Sequence, residues 1–182
     1  MTEETPQAVR DAVAERDAFE EREDDYAVAT TRFDATVRAA PGASDRATAF
    51  TVTVEVPTLA GAVDGEVGEA VQEGWFDTFE RRLAEAPAAT RASVDPELTL
   101  AVAGETVTVT YEFAFGNAAR GLDVARTFVE YVEGTYVEGV VPGYDYRPPV
   151  SDLLSRAGQG DGERGGTPLS LLVEDLLDLR KR

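Results

Sequence analysis

The chain contains no cysteine, no histidine and no isoleucine, and only one lysine (Lys181), one asparagine (Asn117) and one methionine (Met1). Each absence excludes something. Without cysteine there are no disulfides and no thiol chemistry. Without histidine there is no imidazole to act as a general base or a metal ligand. Catalysis would have to rest on Ser, Tyr, Lys or paired carboxylates. No GxSxG or SxxK element is present, and 35 acidic side chains offer too many chance pairs to single one out. No catalytic residue, metal ligand or cofactor motif is therefore assigned. No apolar run approaches the ~20 residues that span a bilayer, so no membrane segment is expected. The opening Met1-Thr2-Glu3-Glu4 lacks the basic and apolar regions of a signal peptide, which makes the cytoplasm the expected location.

What is present in excess is negative charge. Acidic residues outnumber basic ones 35 to 17, for a net charge of -18, while apolar residues still make up 43%. That apolar share argues against an acidic disordered tail and for a packed domain. In dilute buffer the uncompensated carboxylates repel one another and oppose compaction. At ~1 M salt the Debye length falls to about 3 Å and most of that repulsion is screened. The composition suits a halophilic cytoplasm. The scarcity of Ile, Lys, Asn and Met adds a GC-rich coding bias, and together they point to a halophilic archaeon. There is no basic stripe to release counterions, so direct nucleic-acid binding is not expected.

Residues 5–22 read as a helix, with Thr5 as cap, Pro6 in the first turn and Val9, Val13 and Phe19 near one face. Residues 26–38 alternate as a strand, and residues 47–56 alternate again with Phe50, Val52, Val54 and Val56 inward. Residues 66–86 turn helical through Val67, Val71, Trp75, Phe79 and Leu83, and Pro87 stops them. A second hairpin follows, with Leu98, Leu100 and Val102 inward, a turn at Ala103-Gly104, and Val107, Val109, Tyr111 and Phe113 on the return. Residues 117–133 form a helix capped by Asn117. The predicted fold is α+β, in the order α-ββα-ββα. An antiparallel sheet of two hairpins carries helices on one face. Residues 1–150 make a single domain. Residues 151–166 form a flexible linker rich in glycine, within which residues 151–157 have the makings of a short helix. Residues 167–182 form a tethered amphipathic helix.

Four features invite a functional reading. Tyr131, Tyr136, Tyr144 and Tyr146, with Arg147, Glu133 and Glu138, offer the side chains of a small-molecule or peptide groove. The plainer reading is a helix end and loop that close the sheet. Asn117 and Arg120, at a glycine-flanked strand-to-helix corner, would suit an anion, although the spacing fits neither Rossmann nor Walker patterns. The acidic run at residues 20–25 lacks the DxDxDG signature of a calcium loop and reads as a solvated face. The C-terminal stripe of Leu169, Leu172, Val173, Leu176 and Leu179 is a candidate partner-binding helix.

The motifs WFDTFERRL, VTVTYEFAFGNAARG and YVEGTYVEGVVPGYDYRPPV, within residues 50–149, resemble small uncharacterised haloarchaeal proteins. That resemblance implies no assigned activity and lends no site residues. The element order is also similar to type III secretion chaperones and their YbjN-like relatives, which are dimeric protein-binding modules, though their third strand before the second helix is not visible here. Fold analogy alone does not give function. The expectation is a non-catalytic protein-interaction module of a chaperone-like kind. It would act as a homodimer or on a protein partner through the C-terminal helix. The alternative is a small-ligand binder or enzyme using the region 131–147.

Overall fold

The structure, a computed structural model, describes the backbone of residues 4–163 and the side chains of residues 4–158. The architecture is α+β: a six-stranded sheet, antiparallel throughout, with its helices packed on one face.

The first helix, α1 (Gln7–Ala14), ends well short of residue 22. Its buried stripe is Val9, Ala12 and Val13. Phe19 would keep step with Ala12, but the acidic residues around it would put negative charge at a helix C-terminus, which is unfavourable. Residues 19–21 instead form strand β1 (Phe19–Glu21), which turns back onto β2 (Tyr26–Val28) through an Arg22 N–H to Asp25 carbonyl bond of 2.9 Å. The alternating run at 26–38 is likewise not one strand. It breaks between β2 and β3 (Asp34–Pro41), which pair antiparallel with Tyr26 opposite Val37. The Glu133 carboxylate holds the intervening loop, accepting from the Thr31 hydroxyl and, at 3.0 Å, from the Arg32 N–H.

From Phe33 onward the alternation holds. β3 pairs with β4 (Thr48–Pro57). β4 pairs with β6 (Thr106–Phe115), and β5 (Glu97–Ala103) closes the far side against β6. The strand order is β1-β2-β3-β4-β6-β5. Val37, Val52, Val54, Val109 and Tyr111 line the covered face and are fully buried. The opposite face carries a threonine row, Thr36, Thr53, Thr110 and Thr99, in register across four strands.

Helix α2 (Leu59–Ala62) leads into α3 (Glu69–Leu83), and a 3-10 turn at Ala86–Ala89 follows. In α3 the predicted stripe buries Trp75, Phe79 and Leu83, whereas Val71 lies exposed. The long helix α4 (Ala118–Glu138) lies across the sheet with Leu122, Ala125, Phe128, Val129 and Val132 fully buried. The Phe128 ring centroid sits 4.9 Å from that of Tyr111 and 5.4 Å from that of Phe113. Arg16 ties α1 to α4 through a 3.1 Å bond to Asp123.

The turn-rich stretch after α4 is pinned beside α2. Asp64 donates its N–H to the Asp145 carbonyl, and Arg147 donates its N–H to that of Ala62, both at 2.7 Å. Helix α5 (Val150–Glu163) then runs into the glycine-rich segment read as linker. Its first turn places Val150 and Leu153 in the core, so packing continues past residue 150. The stripe from Leu169 to Leu179 lies outside the described residues.

The two-residue turn between β5 and β6 has Gly104 at φ +60°, a left-handed conformation that glycine adopts without steric cost. It is gripped from outside the hairpin: the Thr58 N–H donates to the Glu105 carbonyl at 2.8 Å. Gly61 comes so close that a Cβ there would stand 2.7 Å from the same oxygen.

Candidate functional site

The structure disperses the tyrosine-rich region into structural roles. Tyr136 is buried among aromatic rings, its centroid 5.1 Å from Phe33, 5.6 Å from Trp75 and 5.7 Å from Phe79, and its hydroxyl donates to the Pro57 carbonyl at 3.0 Å. Tyr131 donates to the Arg82 carbonyl at 2.9 Å. Tyr146 folds back on its own loop, donating to the Val141 carbonyl at 2.5 Å and accepting the Val141 N–H at 2.9 Å. Tyr144 is half-buried, and Arg147 forms an exposed ion pair with Asp64 at 3.4 Å. Tyr111 belongs to the same pattern, donating to the Leu83 carbonyl at 2.7 Å. These hydroxyls satisfy carbonyls at element ends, as buried phenols must. Burial pushes Tyr111 and Tyr136 far above the ordinary phenol range and raises Tyr131 and Tyr146 less. They are held as neutral donors and are not poised as bases.

Asn117 caps α4 by accepting the Arg120 N–H at 3.0 Å, so the donor that would greet an anion is already engaged. The acidic run at 20–25 is spread over β1 and the turn that follows it. Among the described residues no group of three or more acidic side chains is placed to hold a metal ion. No described helix is long and apolar enough to cross a membrane.

The feature that sequence reasoning missed is an edge. Among the described residues β5 pairs with β6 on one side and with no strand on the other. A two-residue hairpin closes on a hydrogen-bonded pair, here Ala103 and Thr106. Alternation then sends the N–H and C=O groups of Leu98, Leu100 and Val102 out toward the open side. These same residues, expected inward, are incompletely covered: Leu98 and Leu100 are half-buried and Val102 is 54% exposed. An apolar stripe and a row of free backbone groups thus coincide on one strand. Glu97 is the only charged residue in β5, in a chain that is 29% charged. That local dearth of charge was the available signal.

A separate cleft of about 220 Å³ lies between the ends of α3 and α4. Trp75, Phe79 and Thr135 are among its lining residues, with Arg82 also present.

The fold and this edge define an α+β protein whose antiparallel sheet has, among the described residues, one long open edge. A model of a family of unknown function, DUF5813, matches residues 14–156, and the chain belongs to that family. No curated protein and no solved structure matches it.

Proposed function

We propose that this protein is a non-catalytic protein-interaction module of a salt-rich archaeal cytoplasm, and that it holds another polypeptide by strand addition at β5. The observation that carries the reading is the open β5 edge, where unpaired backbone groups border an incompletely buried apolar stripe. Strand addition draws affinity from main-chain hydrogen bonds and specificity from alternate side chains, and it needs no catalytic residue. Molar salt favours it by screening charge and strengthening apolar burial.

The test is a display library of extended peptides screened in molar KCl against the wild-type chain and a Leu100→Pro variant. Proline at 100 removes an outward N–H that makes no internal ladder bond. The reading expects peptides rich in β-branched residues that bind wild type and lose at least tenfold on the variant. Equal recovery from both proteins would overturn it.

A second reading, that of a small-ligand binder, is favoured by the α3–α4 cleft. Aromatic side chains line it, and Arg82, whose guanidinium stands 4.0 Å from Glu138, offers a fork that a small planar carboxylate could take over. Trp75 is the only tryptophan in the chain. Its fluorescence in a screen of aromatic and aliphatic carboxylates reports occupancy directly, and an unchanged signal across the set rejects this reading.

A further inference from the structure

We infer that the strand added at β5 is the β5 of a second copy of this chain, paired antiparallel about Leu100. The inference rests on the strand-addition reading above and supplies the occupant.

The strand is self-complementary in four respects. The first is hydrogen bonding. The outward groups belong to Leu98, Leu100 and Val102, and pairing about Leu100 sets Leu98 opposite the partner's Val102 and Leu100 opposite the partner's Leu100. Each such pair exchanges both N–H···O bonds, so every outward backbone group of the strand finds a mate. The second is charge. The only charged residue of β5, Glu97, falls opposite Ala103 of the partner subunit. The two Glu97 side chains lie at opposite ends of the ladder, and no like charges face each other within it. That matters between copies that each carry a net charge of -18.

The third respect is apolar burial. The two-fold axis runs perpendicular to the sheet, so both helix layers lie on the same side. Leu98, Leu100 and Val102 of each copy then merge into one strip where each alone is under-covered. Cross-strand apolar pairs of this kind stabilise a sheet. The fourth is length. Pro96, which has no N–H, precedes the strand, and Gly104 turns the chain away after it. In this register both strands begin and end together.

Beyond the ladder, Asp95 approaches Glu105 of the partner subunit at each end. Association therefore opposes local as well as global repulsion at low salt and is relieved as the Debye length contracts.

The experiment uses the full chain. Light scattering coupled to gel filtration in molar KCl should give twice the 19.5 kDa chain mass. The Leu100→Pro variant should return the single-chain mass with an unchanged circular dichroism spectrum. The native chain has no cysteine, which leaves a clean background for a register test. Thr99 falls opposite Ala101 of the partner subunit in a non-hydrogen-bonded pair. Its Cα separation of about 4.5 Å suits a disulfide. The double variant Thr99→Cys with Ala101→Cys should cross-link quantitatively on mild oxidation, and either single variant at least tenfold less.

A monomer at all salts would overturn self-pairing. So would a dimer that survives Leu100→Pro, or cross-linking by a single variant as efficient as that of the double. The failures are separable. A monomeric chain that still captures peptides at β5 keeps the strand-addition reading and loses only the second copy as occupant. A monomer that captures none loses both. If Leu100→Pro does not fold, the cysteine pattern alone decides.

Discussion

The two edges of the sheet are treated very differently by the sequence. At one end, β1 is three residues long, and two of the three are exposed glutamates, with Glu23, Asp24 and Asp25 following after Arg22. Short length and charge are the ordinary means of keeping an edge from recruiting another strand. At the other end, β5 is seven residues long, carries one charge, and leaves Val102 more than half exposed. Neither proline nor lysine interrupts it. A chain with 35 acidic residues could have guarded both edges. Charge is thus sparse where an incoming strand would have to pass, and dense where one would be unwelcome.

Salt should sharpen this contrast most. Thermal unfolding followed from about 0.1 M to about 3 M KCl should show the midpoint rising by roughly 10 °C or more, since 1 kcal/mol moves a domain of this size by about 2–4 °C. Hydrogen exchange at low salt should open the amides of β1 and β2 before those of β4 and β6. A midpoint flat with salt would remove charge as the basis of the comparison.

Alkali should act next, and on the core shared by both edges. Burial raises Tyr111 and Tyr136 above the usual phenol value. The folded state therefore keeps their protons while the unfolded chain releases its own near pH 10. Their contribution to stability is complete below about pH 10 and falls as pH climbs toward the folded values. Urea midpoints in constant molar salt should hold steady up to about pH 9.5 and then drop, and the drop should be shallower in Tyr111→Phe.

Gly61→Ala tests the β5 side alone. The added Cβ meets backbone at Glu105, which cannot rotate away. A loss of about 1–3 kcal/mol is expected, with faster exchange in β5 and β6 and little change at β1. The smallest effect belongs to the guarded edge. Replacing Glu20 and Glu21 with threonine should leave stability within about 0.5 kcal/mol while introducing concentration-dependent association in molar salt. If sedimentation detects none, shortness rather than charge is what protects β1.

Much of the fold was legible because strands β3, β4 and β6 bury one face and solvate the other, which writes a period of two into the sequence. The α4 stripe and its Asn117 cap were legible for the same kind of reason. What escaped were features decided by contacts distant in sequence. The break between β2 and β3 depends on Glu133, about a hundred positions away, and nothing local to Thr31 or Arg32 announces it. The end of α1 at Ala14 was obscured by a chance apolar residue, Phe19, near the helical face. Leu98, Leu100 and Val102 have the same alternation as a covered strand; only the strand order reveals that, among the described residues, no strand lies beyond them and their cover is partial. Those tyrosines carried the chemistry of a binding groove in their composition, yet the hydroxyls of Tyr131, Tyr136 and Tyr146 answer carbonyls on α3, on β4 and in the neighbouring loop.

The bond from Thr58 to the turn at Glu105 bears on kinetics as well as on shape. A lone hairpin frays at its tip, and a strand that frays must be straightened each time it is used. Here the tip is clamped by a segment from elsewhere in the chain, so β5 is already extended before anything arrives. Little disorder is left to surrender on association. Encounters at this edge should then be productive at a rate set by diffusion and salt, with no wait for the strand to form.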